Sequence, residues 1–388
     1  MTKLLSFFMA LIYSIFSFLG IPYESPDLAE SPLPEVSATQ EDIEVLEAVF
    51  ETETAWIASL QLDNGAIPMT YNDNAELTVN PYFSCYAALA LLDNAETYAS
   101  QVKDYLEWHF AHLNTAETDY AGIDGTIYDH IITVENGAVT GERMHPRKYD
   151  SSDSYAAVFL TVLNKYSKAT GDTEYIISKS SDIARVVNAM TATMHNGLAF
   201  ACPDYRIKFL MDNSEVYEGS VDATELFETV ICKNDASYSN TLELCRKTAK
   251  DVSNAIENKM WNHFDGYYRT ALDSTGRNVQ NFSWSSFYPG ATAQLFVINH
   301  GVLAPETERA KTLYGKFCES FDWEHLNFNS EFCWGSVVIA GAKMNDTDRV
   351  VTYMKSFQEK FGNHNYPLYS GDSARVAIAA HILLEKTK

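Results

Sequence analysis

The sequence predicts an all-α chain built from six helical hairpins, arranged as an inner and an outer ring. Three observations carry this. From Glu41 onward apolar residues recur every three or four positions, the helical period, over about twelve segments. The links between those segments alternate between short and long. The even segments are the more apolar ones, as in 81–93, 152–169, 331–343 and 372–386, whereas the odd ones are amphipathic, as buried and half-buried helices require. A chain of 388 residues with 46% hydrophobic content is long enough to bury two such layers.

Taken in order, segment 41–61 opens the series. Segment 81–93 contains YFSCYAALALL, and Asp93-Asn94 joins it tightly to 95–112, whose VKDYLEWHFAHL is amphipathic. A long loop follows with TIYDHIITVENGAVTGERM, in which Glu135-Asn136-Gly137 is a turn between β-branched residues and predicts a β-hairpin. Segment 152–169, with YAAVFLTVL, connects through Thr170-Gly171-Asp172 to 173–195. Segment 213–232 connects through Lys233-Asn234-Asp235 to 236–260, where AKDVSNAIENKMW is amphipathic. The loop WNHFDGYYRTALDSTGR then has turns at Asp265-Gly266 and from Ser274 to Gly276. Segment 288–300 turns at Gly301 to Pro305 into 305–320. Segment 331–343, with FCWGSVVIAGA, turns at Met344-Asn345 into 346–361, and 372–386, with ARVAIAAHILL, closes the series. A short link makes an antiparallel hairpin. All long loops therefore gather at one end, and the even, apolar segments point their N-termini there.

The formal net charge of -24 repels phosphate backbones and excludes nucleic acid as a partner. It tolerates neutral partners and attracts cationic ones. The N-terminus, MTKLLSFFMALIYSIFSFLG, carries Lys3 before an apolar stretch from Leu4 to Leu19. This predicts export, by a cleaved signal peptide or an uncleaved signal-anchor, and hence a secreted or membrane-anchored protein. Residues 21–40, rich in proline and acids, read as a solvated tether, leaving 41–388 as one domain. The six cysteines form no C-x-x-C pair, and several sit in apolar helical runs where a buried free thiol is the commoner outcome. Disulfide pairing stays open.

Twelve helices in two rings, with the long loops at the inner N-terminal side, resemble the (α/α)6 toroid of the six-hairpin glycosidases. The stretch Trp261 to Tyr268, WNHFDGYY, also looks like the short hairpin after an outer helix in many members. The resemblance implies action on oligo- or polysaccharides, with carboxylates in a cleft lined by inner-helix N-termini. The same toroid hosts polysaccharide lyases, epimerases and terpenoid cyclases, so the fold alone does not choose among them.

Two inner helices open with one acidic signature. Asp150-Ser151-Ser152-Asp153-Ser154-Tyr155 aligns with Asp212-Asn213-Ser214-Glu215-Val216-Tyr217, the common form being D-[SN]-S-[DE]-x-Y. A capping box explains the pattern, with Asp150 and Asp212 accepting from free backbone N–H groups for about 1 kcal/mol each. So does glycoside hydrolysis, which needs two carboxyl groups flanking the scissile bond. Clustered acids also split their pKa values, one staying protonated and another ionised. On the hydrolytic reading Asp153 is the first choice for base, with Glu215 or Asp124 as acid. Asp150 and Asp212 support them or bind sugar hydroxyls. The analogy is to inverting members, which usually place a general-acid Glu near the first inner helix. Here that helix opens with Asn80-Pro81-Tyr82 and has no Glu at its head.

Asp124, in the longest loop beside Gly125, also reads as a turn residue. Asp129 is a weaker candidate, and Asp222 and Glu225 lie further down their helix. Glu331 and Asp372 read as caps. His145, Arg143, Arg147 and Lys148 form the one basic cluster, read as pairing with nearby acids. Tyr82, Tyr155, Tyr217, Tyr288, Trp284 and Trp334 are candidates to stack on sugar C–H faces, with Trp284 foremost in its polar loop and Phe287 and Tyr369 near the same end. The sequence has no G-x-G-x-x-G, Walker loop, H-E-x-x-H, EF-hand loop or G-x-S-x-G elbow. No motif calls for a metal or other cofactor. The expectation is an inverting glycoside hydrolase using water and carboxylates. The alternatives are a lyase with Tyr149, Tyr155 or His145 as base, or a surface protein that binds glycans without cutting them.

Overall fold

A computed structural model describes residues 25–328 and 330–388. The apolar N-terminal stretch, read above as an export signal, and the first part of the proline-rich stretch lie outside these residues. No helix among the described residues is long and apolar enough to cross a membrane.

The helices are α1 (Gln40–Leu60), α2 (Pro81–Leu92), α3 (Ala95–Ala111), α4 (Ser152–Thr170), α5 (Ser180–Thr191), α6 (Leu210–Leu226), α7 (Ser239–Ala255), α8 (Thr292–Asn299), α9 (Glu308–Ser320), α10 (Gly335–Lys343), α11 (Thr347–Phe361) and α12 (Ser370–Thr387). The even helices pack in sequence, α2 on α4, α4 on α6, α6 on α8, α8 on α10 and α10 on α12. Helix α12 returns to α2 and closes the ring. Each odd helix packs outside, against one or two of the even helices. The expected (α/α)6 toroid is therefore the observed fold. Most even helices are apolar because they face outer helices on one side and ring neighbours on two others; nearly every residue of α2 and α8 is buried, whereas α6 carries several acids.

The loops before even helices carry the small sheets. Strands β1 (Ala75–Val79), β2 (His130–Glu135) and β3 (Ala138–Met144) form one antiparallel sheet in that order. The β2–β3 turn falls at Asn136-Gly137, both at positive φ, as the Asn-Gly pair predicts. Trp261–Asn262 pairs with Tyr267–Tyr268 around Asp265-Gly266, the second expected hairpin.

Three boundaries differ from the periodicity. The outer segment 173–195 breaks at Lys179 and ends at Thr191, and Met194–His195 pairs with Leu198–Ala199 around Asn196-Gly197. The third inner helix starts at Leu210, with Phe209 as its N-cap. The fifth begins only at Gly335, because Trp334 holds a left-handed φ of 54°. Residues 25–34, read by composition as a solvated tether, lie against the outer ring. Arg309 is 1% exposed and needs carboxylates. Asp27 supplies a two-point pair at 2.9 and 3.0 Å and Glu257 another. Glu30 bridges Thr307, and Asn345 donates to the Pro34 carbonyl. All six cysteines are free.

Candidate active site

The N-termini of the inner helices surround a cavity of ≈ 480 Å³. Four carboxylates and one guanidinium line it: Asp150, Asp212, Glu215, Asp372 and Arg375. Asp150 ends the long loop before α4 and is exposed; Asp212 sits in the first turn of α6, and Glu215 one turn deeper at 3% exposure. Asp372 lies in the first turn of α12, with Arg375 below it. The ring order puts α6 and α12 opposite one another, with two inner helices between them on either side. Asp212 and Asp372 therefore stand on facing walls.

Glu215 is the best-held carboxylate. The Tyr82 hydroxyl donates to Oε1 at 2.5 Å and the Tyr86 hydroxyl at 3.3 Å. Burial raises its pKa, opposed by His300, Tyr82, Ser154 and Arg375. His300 Nε2 lies 3.9 Å away, and its Nδ1 pairs with Glu218 at 2.6 Å. Asp212 has weaker support, a 3.5 Å contact from the Ser151 hydroxyl. Burial, then the charges of Asp153, Glu215 and Asp150, push its pKa well up. Asp372 is pushed up to about 6 by burial, against the pull of Arg375. Arg375 is 6% exposed, lies 3.6 Å over the Tyr86 ring and donates to the Gly371 carbonyl.

The shared acidic signature is not a pair of capping boxes. The N-cap of α4 is Ser151 and that of α6 is Phe209, neither with a side-chain cap bond. Asp150 and Asp212 face the cavity instead. Asp153, the first choice for base, is fully buried and does not line the cavity. Its Oδ1 accepts from the Ser151 hydroxyl at 2.6 Å and from its own helix at Ser154 N, while Oδ2 is enclosed without a partner. Burial lifts its pKa to about 7. It holds the Ser151 hydroxyl from behind the cavity wall. Asp124 lies away from the cavity. Arg185 on α5 holds it at 2.9 Å, and a Cβ at Gly125 would collide with the Arg185 carbonyl, which anchors that turn to the outer ring.

Asp372 reads as a cap in the sequence, but Tyr369 is the N-cap and the carboxylate turns into the cavity. Arg375 is a residue the sequence reading missed; its position one turn below an acid, inside an otherwise apolar helix, is the signal that could have found it. Asp129 is buried and ties the long loop to the ring, accepting from Asn80 (3.1 Å), Tyr155 (3.0 Å) and Arg147 (2.6 Å). Asp222 and Glu225 bind Asn164 of α4. The two arginines of the basic cluster pair with acids as expected, Arg143 with Glu76 and Arg147 with Asp129, while Lys148 lies over the Tyr120 ring. Among the aromatic candidates, Tyr82, Tyr155, Tyr288 and Trp334 line the cavity. Tyr288 and Trp334 form a platform with ring centroids 4.9 Å apart. Tyr217 and Trp284 do not line it; both pack against the core.

No protein-family model and no curated protein matches the sequence. The fold is similar to solved structures. One titled "Glycosidase Wild Type" matches with TM-score 0.61 and 11% identity, over 90% of this chain and 99% of that one. A GH63 mannosylglycerate hydrolase from Thermus thermophilus, in complex with glucose, matches with TM-score 0.54 and 12% identity, over 86% of this chain and 99% of that one. A rhamnosidase from Klebsiella oxytoca with rhamnose bound matches with TM-score 0.55 and 12% identity, over 92% of this chain and 66% of that one. At these identities the likeness establishes the toroid.

Proposed function

We propose that this chain is a glycoside hydrolase that cuts an oligo- or polysaccharide with inversion. The observation that carries the reading is the pair of carboxylates on facing walls, Asp212 at the head of α6 and Asp372 at the head of α12. An inverting enzyme needs an acid on the leaving-group side and a base that activates water on the opposite face of the sugar. Asp212, surrounded by three other acids, keeps its proton and serves as general acid. Asp372, beside Arg375, ionises more readily and serves as general base. Glu215, held by two tyrosine hydroxyls, keeps negative charge next to Asp212 and sustains its raised pKa. Asp150 and Ser151 orient sugar hydroxyls, and the Tyr288–Trp334 platform takes an apolar sugar face.

Four carboxylates against one guanidinium favour neutral or cationic sugars over uronates. The lyase alternative is weak on the same ground. Its tyrosine base would need a lowered pKa, yet burial, followed by neighbouring carboxylates, raises those of Tyr149 and Tyr155. Export of the enzyme rests on the apolar N-terminal sequence alone.

The test is incubation of the full chain with neutral, amino-sugar and uronate glycans, followed by NMR of the new anomeric centre and by ultraviolet absorbance. Inverted reducing ends are expected, with Asp212→Asn and Asp372→Asn each lowering kcat by about 10²–10⁴-fold. An ultraviolet-absorbing product, or activity that survives both substitutions, sinks the assignment. Glycan binding with no product on any member of the panel supports the non-catalytic alternative.

A further inference from the structure

Away from the cavity, three side chains from three elements converge beneath the β-sheet. His112 caps the C-terminus of α3, His130 begins β2 and Glu142 lies in β3. In the β2–β3 register His130 faces Met144 and Ile132 faces Glu142, so His130 and Glu142 are diagonal neighbours on one face of the sheet. That face meets the end of α3. One ligand atom from each of the three residues falls within 4.8 Å of the other two, and His112 Nε2 lies 3.1 Å from Glu142 Oε1.

The hydrogen bonds around the two imidazoles are the telling feature. His112 Nδ1 meets the Trp108 carbonyl at 2.6 Å, and His130 Nδ1 meets the Tyr128 carbonyl at 2.9 Å. A carbonyl only accepts, so both Nδ1 atoms carry the proton. His130 Nε2 is left with a lone pair, while His112 Nε2 shares its proton with the Glu142 carboxylate at 3.1 Å, a proton that a bound metal would displace. Backbone carbonyls that fix the tautomer and aim the other nitrogen are the usual outer support of histidine metal ligands. Glu142 has its own support, with Trp108 Nε1 donating to Oε1 at 3.0 Å and Asn64 to Oε2 at 3.4 Å. A salt bridge from His112 to Glu142 needs one imidazole only. It does not account for a second, buried imidazole with the same tautomer lock.

We propose that His112, His130 and Glu142 bind a divalent transition-metal cation, zinc by preference, as a clamp between the β-sheet and α3. Two imidazoles and a carboxylate, with water in the fourth position, make a tetrahedral set that suits zinc and not the all-oxygen preference of magnesium or calcium. Zinc ligand distances of ~2.0–2.2 Å place tetrahedral donor atoms about 3.3–3.6 Å apart, a few tenths of an ångström beyond the 3.1 Å His112–Glu142 spacing. Strand β3 leads directly to Tyr149 and Asp150, so the clamp would stiffen the loop that brings Asp150 to the cavity. The inference does not depend on the hydrolase reading.

The full chain, stripped with a chelator, is titrated with Zn²⁺ alone and, separately, with Co²⁺. One bound equivalent per chain is expected, with a raised Tm and the intense visible bands of tetrahedral Co²⁺. Glu142→Gln and His112→Gln, at partly exposed positions that the fold tolerates, should each weaken Zn²⁺ binding by at least about tenfold. His325→Ala, which breaks the separate Asp322–Glu324–His325 cluster, should leave it unchanged. No stoichiometric Zn²⁺ binding, octahedral Co²⁺ bands, or unchanged affinity in both Glu142→Gln and His112→Gln would overturn the proposal.

Discussion

Gly219 lies on the face of α6 that meets α4. A Cβ there would stand 2.5 Å from the Ala157 carbonyl oxygen and 2.7 Å from its Cα. Carbon–oxygen contacts normally begin at about 3.3 Å, so Gly219→Ala must move the two helices apart by about 0.8 Å along that line. Backbone faces backbone, and no side chain can swing away. In an open helix the same change would stabilise by about 1 kcal/mol. Overpacking a core costs about 1–3 kcal/mol, and a rigid contact belongs at the upper end. The expected net loss is about 1–2 kcal/mol, about 1–3 °C of Tm for a chain this size. Activity should suffer more, because α4 and α6 carry the walls with Ser151 and Asp212. A misplacement near 1 Å can cost about 10²-fold. Thermal unfolding and kcat/KM on the same preparation test this together. An equal or higher Tm with activity intact would refute the claim that this contact sets the spacing of the acidic walls.

Tyr82→Phe removes the shortest hydrogen bond to Glu215. A bond to a charged group contributes about 1.5–3 kcal/mol, so kcat/KM should fall about 10–100-fold with the fold intact by circular dichroism. Asp153 carries a pH signature. Its folded pKa of about 7 lies above the ordinary 3.8, so between those values the folded chain holds the extra proton. Its contribution to stability is full below about pH 4 and is lost as pH rises through 7. Asp153→Asn should flatten that part of the curve in denaturant titrations at stepped pH. Arg309→Met leaves Glu257 and Asp27, both partly reached by solvent, without their partner, and the lost charge-assisted bonds should cost about 1.5–3 kcal/mol. Urea unfolding should show it, and protease should then cut near residues 25–34 first.

Much of the fold was legible because it depends on local spacing. The 3–4-residue period defined the helices, the short links paired them, and Asn136-Gly137 and Asp265-Gly266 marked their hairpins. The apolar character of the even segments placed them inside. The site was legible in part: DSSDSY and DNSEVY announced acids at two neighbouring inner-helix heads. Which carboxyl meets the cavity was not readable, because that depends on where a helix starts and how it is rotated against its neighbours. Starting α6 at Leu210 turned Asp212 from a cap into a wall residue. The rotation of α4 buried Asp153 behind Ser151, and Arg185, 61 residues along the chain, drew Asp124 to the outer ring. Closure of α12 onto α2 set Asp372 and Arg375 opposite Asp212. His112, His130 and Glu142 met only because a sheet folded over the end of α3. Helical periods are short-range properties of the chain. A site assembled from six helix heads is a property of the ring, and packing alone decides which groups face one another.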